Sequence, residues 1–145
     1  MIFFVHEATG GNVGKLDDRE LASQINWQLK GGFSTIEEFK LLDLETKVAV
    51  INFLNKMLAY ARVSVNGNNY LLVHGGLGNF IFYKSIEDYS LDELVWTRVD
   101  YDVRYFKDTY VVVGHTPTQM IKDNPKSGFI YRKNNNIAID CGAYY

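Results

Sequence analysis

The chain has 145 residues, of which 47% are hydrophobic and 2 are proline, a composition typical of one globular domain spanning residues 1–145. The formal net charge of -2 comes from 15 basic and 17 acidic residues spread along the chain, which excludes the basic stripe of a nucleic-acid-binding protein. Cys141 is the one cysteine, so no intramolecular disulfide can form. Without a signal-peptide pattern or a membrane-length apolar run, we expect a cytoplasmic protein with no membrane partner.

The chain opens with an apolar segment and a glycine-rich loop, followed by a first helix. Met1–Val5 is too short for a signal sequence, and we expect it to be packed structure. Ala8–Gly14 has the glycine content of a loop. A helix is predicted from Asp17 towards Leu29, and Lys30-Gly31-Gly32 is expected to break it.

Two further helices are predicted before residue 61. Ser34 followed three residues later by Glu37 is the capping-box arrangement, which indicates the start of a short helix. The strongest helical pattern runs from Leu44 to about Tyr60, where apolar residues recur at spacings of three and four. One face of this helix should therefore be buried.

From residue 61 onwards the pattern favours β structure. Five segments are strand-like: Arg62–Val65, Tyr70–Val73, Tyr110–Val113, Phe129–Arg132 and Ile137–Gly142. The first two are predicted to form one hairpin, and the last two another. Asp92–Arg98 is predicted to be a short helix or turn. Helices followed by paired strands indicate an α/β (α+β) fold.

Two histidines stand at the ends of strand-like runs. His74 follows Tyr70–Val73, and His115 follows Tyr110–Val113 after one glycine. Ligands bind beyond the carboxyl ends of strands in open α/β sheets, so we expect these side chains to converge there. Imidazole is a good ligand for manganese, iron or zinc, but two histidines are an incomplete set, and oxygen ligands must come from elsewhere. The alternative is that each histidine hydrogen-bonds within its own loop. His6 follows an apolar run without a glycine turn, and we assign it no role.

Four segments together resemble the bacterial serine/threonine protein phosphatase family, in that family's order and spacing. They are Leu71–Leu77 (LLVHGGL), Val95–Arg98 (VWTR), Val111–Pro117 (VVVGHTP) and Ile137–Ala143 (IAIDCGA). Trp27 and the segment Lys30–Thr35 resemble the stretch after that family's third motif, so the likeness runs from about Asn26 to the end. The resemblance implies part of a calcineurin-like metallophosphoesterase sandwich, two β-sheets flanked by helices. The family's GDxHG, GDxxDRG and GNHE segments do not occur in the sequence, which implies that the N-terminal βαβ portion is missing.

The resemblance also implies roles for individual residues. His74 and His115 would ligate the second of two divalent metals, with manganese expected and iron or zinc as alternatives. Arg98 would hold the substrate phosphate, for which a planar guanidinium gives two hydrogen bonds. The alternative for Arg98 is a solvated position at a helix C-terminus. No catalytic residue is assigned, because the catalytic histidine and most metal-binding oxygens belong to the missing segments.

Two other side chains lie within these motifs, Trp96 and Asp140, and neither is given a functional role. Trp96 is expected to be core, since large aromatic side chains are mostly buried. Asp140 fits either a histidine-orienting acceptor or a local hydrogen bond in its loop, and it is left unassigned.

Three hypotheses follow for function. The first is metal-dependent phosphoester hydrolysis, on a phosphorylated protein or a small phosphoester, with the isolated chain inactive because half the site is missing. The second is an inactive module for binding or self-association, since half a sandwich leaves a sheet edge and apolar surface uncovered and favours a homo-oligomer. The third is a metal shared between the histidine pairs of two copies.

Overall fold

The computed structural model describes residues 17–142, and the side chains of residues 19, 20, 23, 24 and 30 lie outside that description. The expectations for Met1–Val5 and Ala8–Gly14 also fall outside the described residues. The described chain is mixed α/β, with helices and a five-stranded mixed sheet, as the sequence predicts at this level. The chain divides into two compact units, Met1–Met57 and Leu58–Tyr145.

The described part of the first unit is helical. Helix α1 (Asp18–Trp27) is followed by a π-helical turn (Gln28–Gly32) and then by α2 (Phe33–Leu41). The predicted break is confirmed, because Gly31 has a φ of +99°, outside the right-handed helical region, and a separate α-helix starts at Phe33. A Cβ built on Gly32 would lie 2.5 Å from the Trp27 indole, so glycine here lets that ring pack closely against the turn. The predicted capping box at Ser34 is wrong, because α2 already begins at Phe33 and Ser34 lies inside the helix.

Helix α3 (Leu44–Asn55) is capped at its N-terminus by Asp43, whose Oδ1 accepts a 2.7 Å hydrogen bond from the Thr46 N–H. It ends at Asn55, and Tyr60, the expected helix end, instead starts a strand. In the described part of this unit, the buried hydrophobic residues are Ile36 and Phe39 of α2, and three α3 residues pack on them: Val50, Ile51 and Leu54.

The predicted buried face of α3 is therefore only partly correct. No α3 residue is fully buried, and the side chains of Val48 and Phe53 are 45% and 67% exposed. Met57, just beyond the helix, is 62% exposed. An apolar repeat indicates which side of a helix is apolar, but whether that side is covered depends on neighbouring segments.

The second unit contains the sheet. Its strands are β1 (Tyr60–Val65), β2 (Asn68–Val73), β3 (Thr109–Val113), β4 (Tyr131–Lys133) and β5 (Asn136–Ala138), in the order β1-β2-β3-β5-β4. The three central strands β2, β3 and β5 run parallel to one another, and the outer strands β1 and β4 pair antiparallel with β2 and β5. Both predicted hairpins are confirmed. The φ values of Asn66 and Gly67 are +50° and +77°, the left-handed backbone that a two-residue Asn-Gly turn requires.

One face of the sheet carries the core of this unit. Alternate strand residues Leu71 and Val73 of β2, and Val111 and Val113 of β3, are 1–6% exposed. They pack against apolar side chains of the long β2–β3 connection, including Leu77, Ile86, Leu94 and Tyr105. That connection contains helix α4 (Leu91–Val95), shorter than the predicted 92–98 and begun by a Ser90–Glu93 capping box.

Candidate functional site

The two strand-end histidines meet at one edge of the sheet. Val73 and Val113 are paired in register on parallel strands, so His74 and Gly114 leave the sheet side by side. His74 Nε2 and His115 Nδ1 lie 3.2 Å apart, and the ring centroids are 5.0 Å apart. The expected convergence of the two side chains is observed. His74 is exposed and His115 is half-buried, so the pair opens to solvent.

The spacing of the two nitrogens fits two ligands of one metal ion. Nitrogen ligands lie about 2.0–2.1 Å from zinc-like ions, and two of them at roughly 90–110° to each other are about 3.0–3.4 Å apart. The observed 3.2 Å falls in that range. It is equally a hydrogen-bond distance when one nitrogen carries the proton. Within residues 17–142, no group of three or more His, Cys, Asp or Glu side chains forms a metal-binding set. The described residues therefore offer a partial set of ligands.

The backbone at His115 is constrained. Its φ is +63°, in the left-handed region that side-chain-bearing residues adopt rarely. The Thr116 N–H donates to the Gly114 carbonyl at 2.6 Å, which closes a tight turn around His115. The Gly114 N–H donates to the His74 carbonyl at 2.9 Å. These bonds fix the second histidine relative to the first.

The glycines after His74 dock its loop on the end of α4. The N–H groups of Gly75 and Gly76 donate to the Leu94 carbonyl at 2.8 and 3.3 Å. A Cβ on Gly75 would lie 2.6 Å from the Thr97 carbonyl oxygen, so only glycine fits. The His-Gly-Gly sequence thus packs against the segment that leads to Arg98.

Arg98 lies beside the turns that hold the histidines. It lines a cavity of about 260 Å³ together with Gly75 and Gly114, which are the sequence neighbours of His74 and His115. Its side chain is exposed, and no described residue accepts a hydrogen bond from it. Helix α4 ends three residues earlier, so Arg98 is beyond the final helical turn that the alternative interpretation assumed.

Sequence reasoning missed a second cation and misplaced a tryptophan. Lys122 lines the same cavity as Arg98, and it lies in no motif that could have indicated this. Trp96 was expected in the core, but it is 57% exposed and its ring stands edge-on to His115 at 5.8 Å. The Asp140 Oδ1 accepts from the Gly142 N–H at 3.0 Å, and the Asp140 carbonyl accepts from the Thr118 N–H at 2.7 Å. Asp140 therefore hydrogen-bonds within its own loop.

Comparison with known proteins adds no relative. No protein-family model matches the chain, and no curated protein matches its sequence. Among the described helices, none combines the length and the apolar character needed to cross a bilayer.

Proposed function

We propose that this chain supplies part of the site of a metal-dependent phosphoesterase of the serine/threonine protein phosphatase type, as the C-terminal portion of a calcineurin-like sandwich. The observation that carries the proposal is the 3.2 Å approach of His74 Nε2 and His115 Nδ1 at the ends of two parallel strands. The substrate would be a phosphorylated protein or a small phosphoester. The remaining ligands would come from polypeptide with the family's GDxHG, GDxxDRG and GNHE segments.

In this proposal the residues of this chain bind the metal and the substrate phosphate and orient them relative to each other. When bound, a pair of divalent metals, manganese first and iron or zinc as alternatives, would supply a water of lowered pKa and would stabilise phosphoryl charge. His74 and His115 present imidazole nitrogens from the edge of the sheet. The Arg98 guanidinium donates two N–H groups to neighbouring phosphate oxygens. Gly75 and Gly114 line the cavity beside Arg98 with backbone atoms alone, so no side chain from either position enters it.

Metal binding tests the histidine roles directly. We expect Co²⁺ added to the full chain to give visible absorption bands, with one ion bound per chain, and His74→Ala or His115→Ala to weaken binding at least tenfold. His6→Ala is the matched control and should bind as the unmodified chain does. Equal binding by His74→Ala and the unmodified chain would refute the assignment. One ion per two chains would instead indicate a metal shared between copies.

Hydrolysis of an aryl phosphate with Mn²⁺ tests the reaction. The chain alone should give no turnover, because its donor set is partial. Co-expression with a polypeptide that carries the three absent motifs should give activity that His74→Ala abolishes and Arg98→Ala lowers by about 10²–10³-fold, with Arg98→Lys intermediate. Turnover by the chain alone that vanishes in His74→Ala would contradict a partial site.

A second candidate function is binding without catalysis, and an exposed apolar surface favours it. On the sheet face opposite the core, Leu72 is 37% exposed and Ile139 51% exposed. Leu58 is 81% exposed, and the three residues line an open hollow of about 390 Å³. Uncovered apolar surface of this kind favours association with another chain. Sedimentation as a monomer at high concentration would count against self-association.

A further inference from the structure

The turn between β1 and β2 contains Asn66-Gly67, which is the one Asn-Gly pair in the sequence. Val65 of β1 pairs with Asn68 of β2 at the end of the hairpin ladder, so Asn66 and Gly67 alone form the turn. Both residues are exposed, and their left-handed φ values are those of a two-residue hairpin turn. The pair therefore lies at the solvent-exposed tip of the β1–β2 hairpin.

The side-chain amide of Asn66 makes no hydrogen bond to any described residue. The other asparagines described in residues 58–142 differ, because each uses its side chain in a hydrogen bond. They are Asn68, Asn69, Asn79, Asn124, Asn134, Asn135 and Asn136. Rotation of the Asn66 amide therefore breaks no hydrogen bond to a described residue, whereas rotation of each of the others would break one.

The backbone nitrogen of Gly67 is open to approach. Apart from its chain neighbours, no described atom lies within 4 Å of the position that a Cβ on Gly67 would take. The Gly67 N–H donates no hydrogen bond to a described residue. Glycine also has no side chain that could shield its own nitrogen. The Asn66 side-chain carbon and the Gly67 nitrogen can therefore meet without displacing another part of the chain.

We propose that Asn66 is a site of spontaneous deamidation in the folded chain. Hydroxide removes the proton of the Gly67 N–H, and the nitrogen then forms a bond to Asn66 Cγ. The Cγ–Nδ2 bond breaks, and the departing nitrogen takes a proton from water and leaves as ammonia, which regenerates hydroxide. Water next opens the cyclic imide. Attack at Cγ gives aspartate, and attack at the Asn66 main-chain carbonyl gives isoaspartate. The histidine pair takes no part, so this site is independent of the proposed function.

The two products differ in their effect on the hairpin. Each adds one negative charge at residue 66 to a chain whose formal net charge is -2. Aspartate, like asparagine, tolerates the left-handed backbone, so the turn is kept. Isoaspartate places an additional carbon atom in the main chain of a two-residue turn, and the length of that turn sets the register of β1 and β2. We therefore expect the isoaspartate form to have a weaker hairpin.

Incubation of the full chain at mildly alkaline pH, followed by tryptic peptide mapping, tests this proposal. Cleavage after Arg62 and Lys84 releases one peptide that contains Asn66 and three other asparagines, which serve as internal controls. We expect the mass increase of about 1 Da to arise at Asn66 at least tenfold faster than at the other three, and more slowly at mildly acidic pH. Deamidation of Asn66 no faster than that of the other three, or only after unfolding in urea, would overturn the proposal.

Variants at residues 66 and 69 identify the reacting group. Asn66→Gly should abolish the mass increase and keep the hairpin, because Gly-Gly also suits a two-residue turn. Asn69→Gln is the matched control, since Asn69 is exposed in the same hairpin, and the rate at Asn66 should not change. An equal mass increase in the same peptide of Asn66→Gly and of the unmodified chain would refute the assignment.

The effect on the hairpin is measured by urea unfolding of the products after their separation by ion exchange. Asn66→Asp reproduces the aspartate product and should unfold at the same urea concentration as the unmodified chain. The isoaspartate form should unfold at a lower urea concentration, because its turn no longer fits the register of the two strands. Equal unfolding of the isoaspartate form and Asn66→Asp would contradict the expected weakening of the hairpin.

Discussion

Replacement of Gly75 by alanine probes the contact that seats the His74 loop. The added Cβ would lie 2.6 Å from the Thr97 carbonyl oxygen and 2.8 Å from the Val95 carbonyl carbon. Favourable contacts are about 3.5–4.0 Å between carbon atoms, so relief of the 2.8 Å contact requires a backbone movement of at least roughly 0.7 Å. Overpacking costs about 1–3 kcal/mol, and weakening of the Gly75 hydrogen bond to Leu94 adds about 1 kcal/mol. We expect Gly75→Ala to lower the free energy of unfolding by about 3 kcal/mol.

Thermal and urea unfolding would measure this loss, with Gly114→Ala as the matched control. Gly114 flanks the other histidine, but its added Cβ would meet no described atom closer than 3.9 Å. We therefore expect Gly114→Ala to change the unfolding free energy by less than about 0.5 kcal/mol. The Tm of Gly75→Ala should fall by roughly 10 °C, since about 1 kcal/mol corresponds to roughly 3 °C at this chain length. Equal effects of the two substitutions would refute the proposed docking of the loop.

Three further predictions concern α4 and the histidine turn. Leu94→Ala should cost about 2–5 kcal/mol of unfolding free energy, because Leu94 is 1% exposed, whereas Leu91→Ala, at a position 58% exposed, should cost less than about 0.5 kcal/mol in the same urea titration. The Lys84 ammonium holds the pKa of Glu93 at about 2, below its ordinary 4.5, so this pair stabilises the fold above about pH 4.5 and the stabilisation is lost as the pH falls towards about 2. Glu93→Gln should therefore lose less stability than the unmodified chain between about pH 5 and about pH 3, and an identical loss would contradict the assignment. In a urea titration, the free energy of unfolding of His115→Gly should exceed that of His115→Ala by about 1 kcal/mol, because glycine adopts the +63° φ without strain. The reverse order would contradict that strain.

Local patterns predicted the sheet and the convergence of the histidines. Asn66 and Gly67 fix a two-residue turn, and the alternation of apolar residues then sets the hairpin register, so β1 and β2 could be derived from short-range sequence. The apolar run ending at Val113 indicated a buried strand. Because it is parallel to β2, the residues that follow the two strands leave the same edge, which is the relation that brings His74 and His115 together.

Features that depend on contacts between distant segments could not be predicted. The burial of α3 depends on what covers it, and Val48 and Phe53 remain exposed despite the apolar repeat. Lys122 lines the same cavity as Arg98 but belongs to a different segment of the chain, so no local motif indicates it.

The backbone at His115 bears on whether the histidine pair is structural. A left-handed conformation costs a side-chain-bearing residue about 1–2 kcal/mol, which glycine at the same position would avoid. The hydrogen bond to His74 contributes about 1 kcal/mol, and less where the partner is as exposed as His74, so it does not by itself offset the strain. Two imidazoles are thus held at ligand spacing by a turn whose backbone is strained at His115. Strain of this kind is typical of binding and catalytic sites, and it favours a ligand-binding role for the pair over a purely structural one.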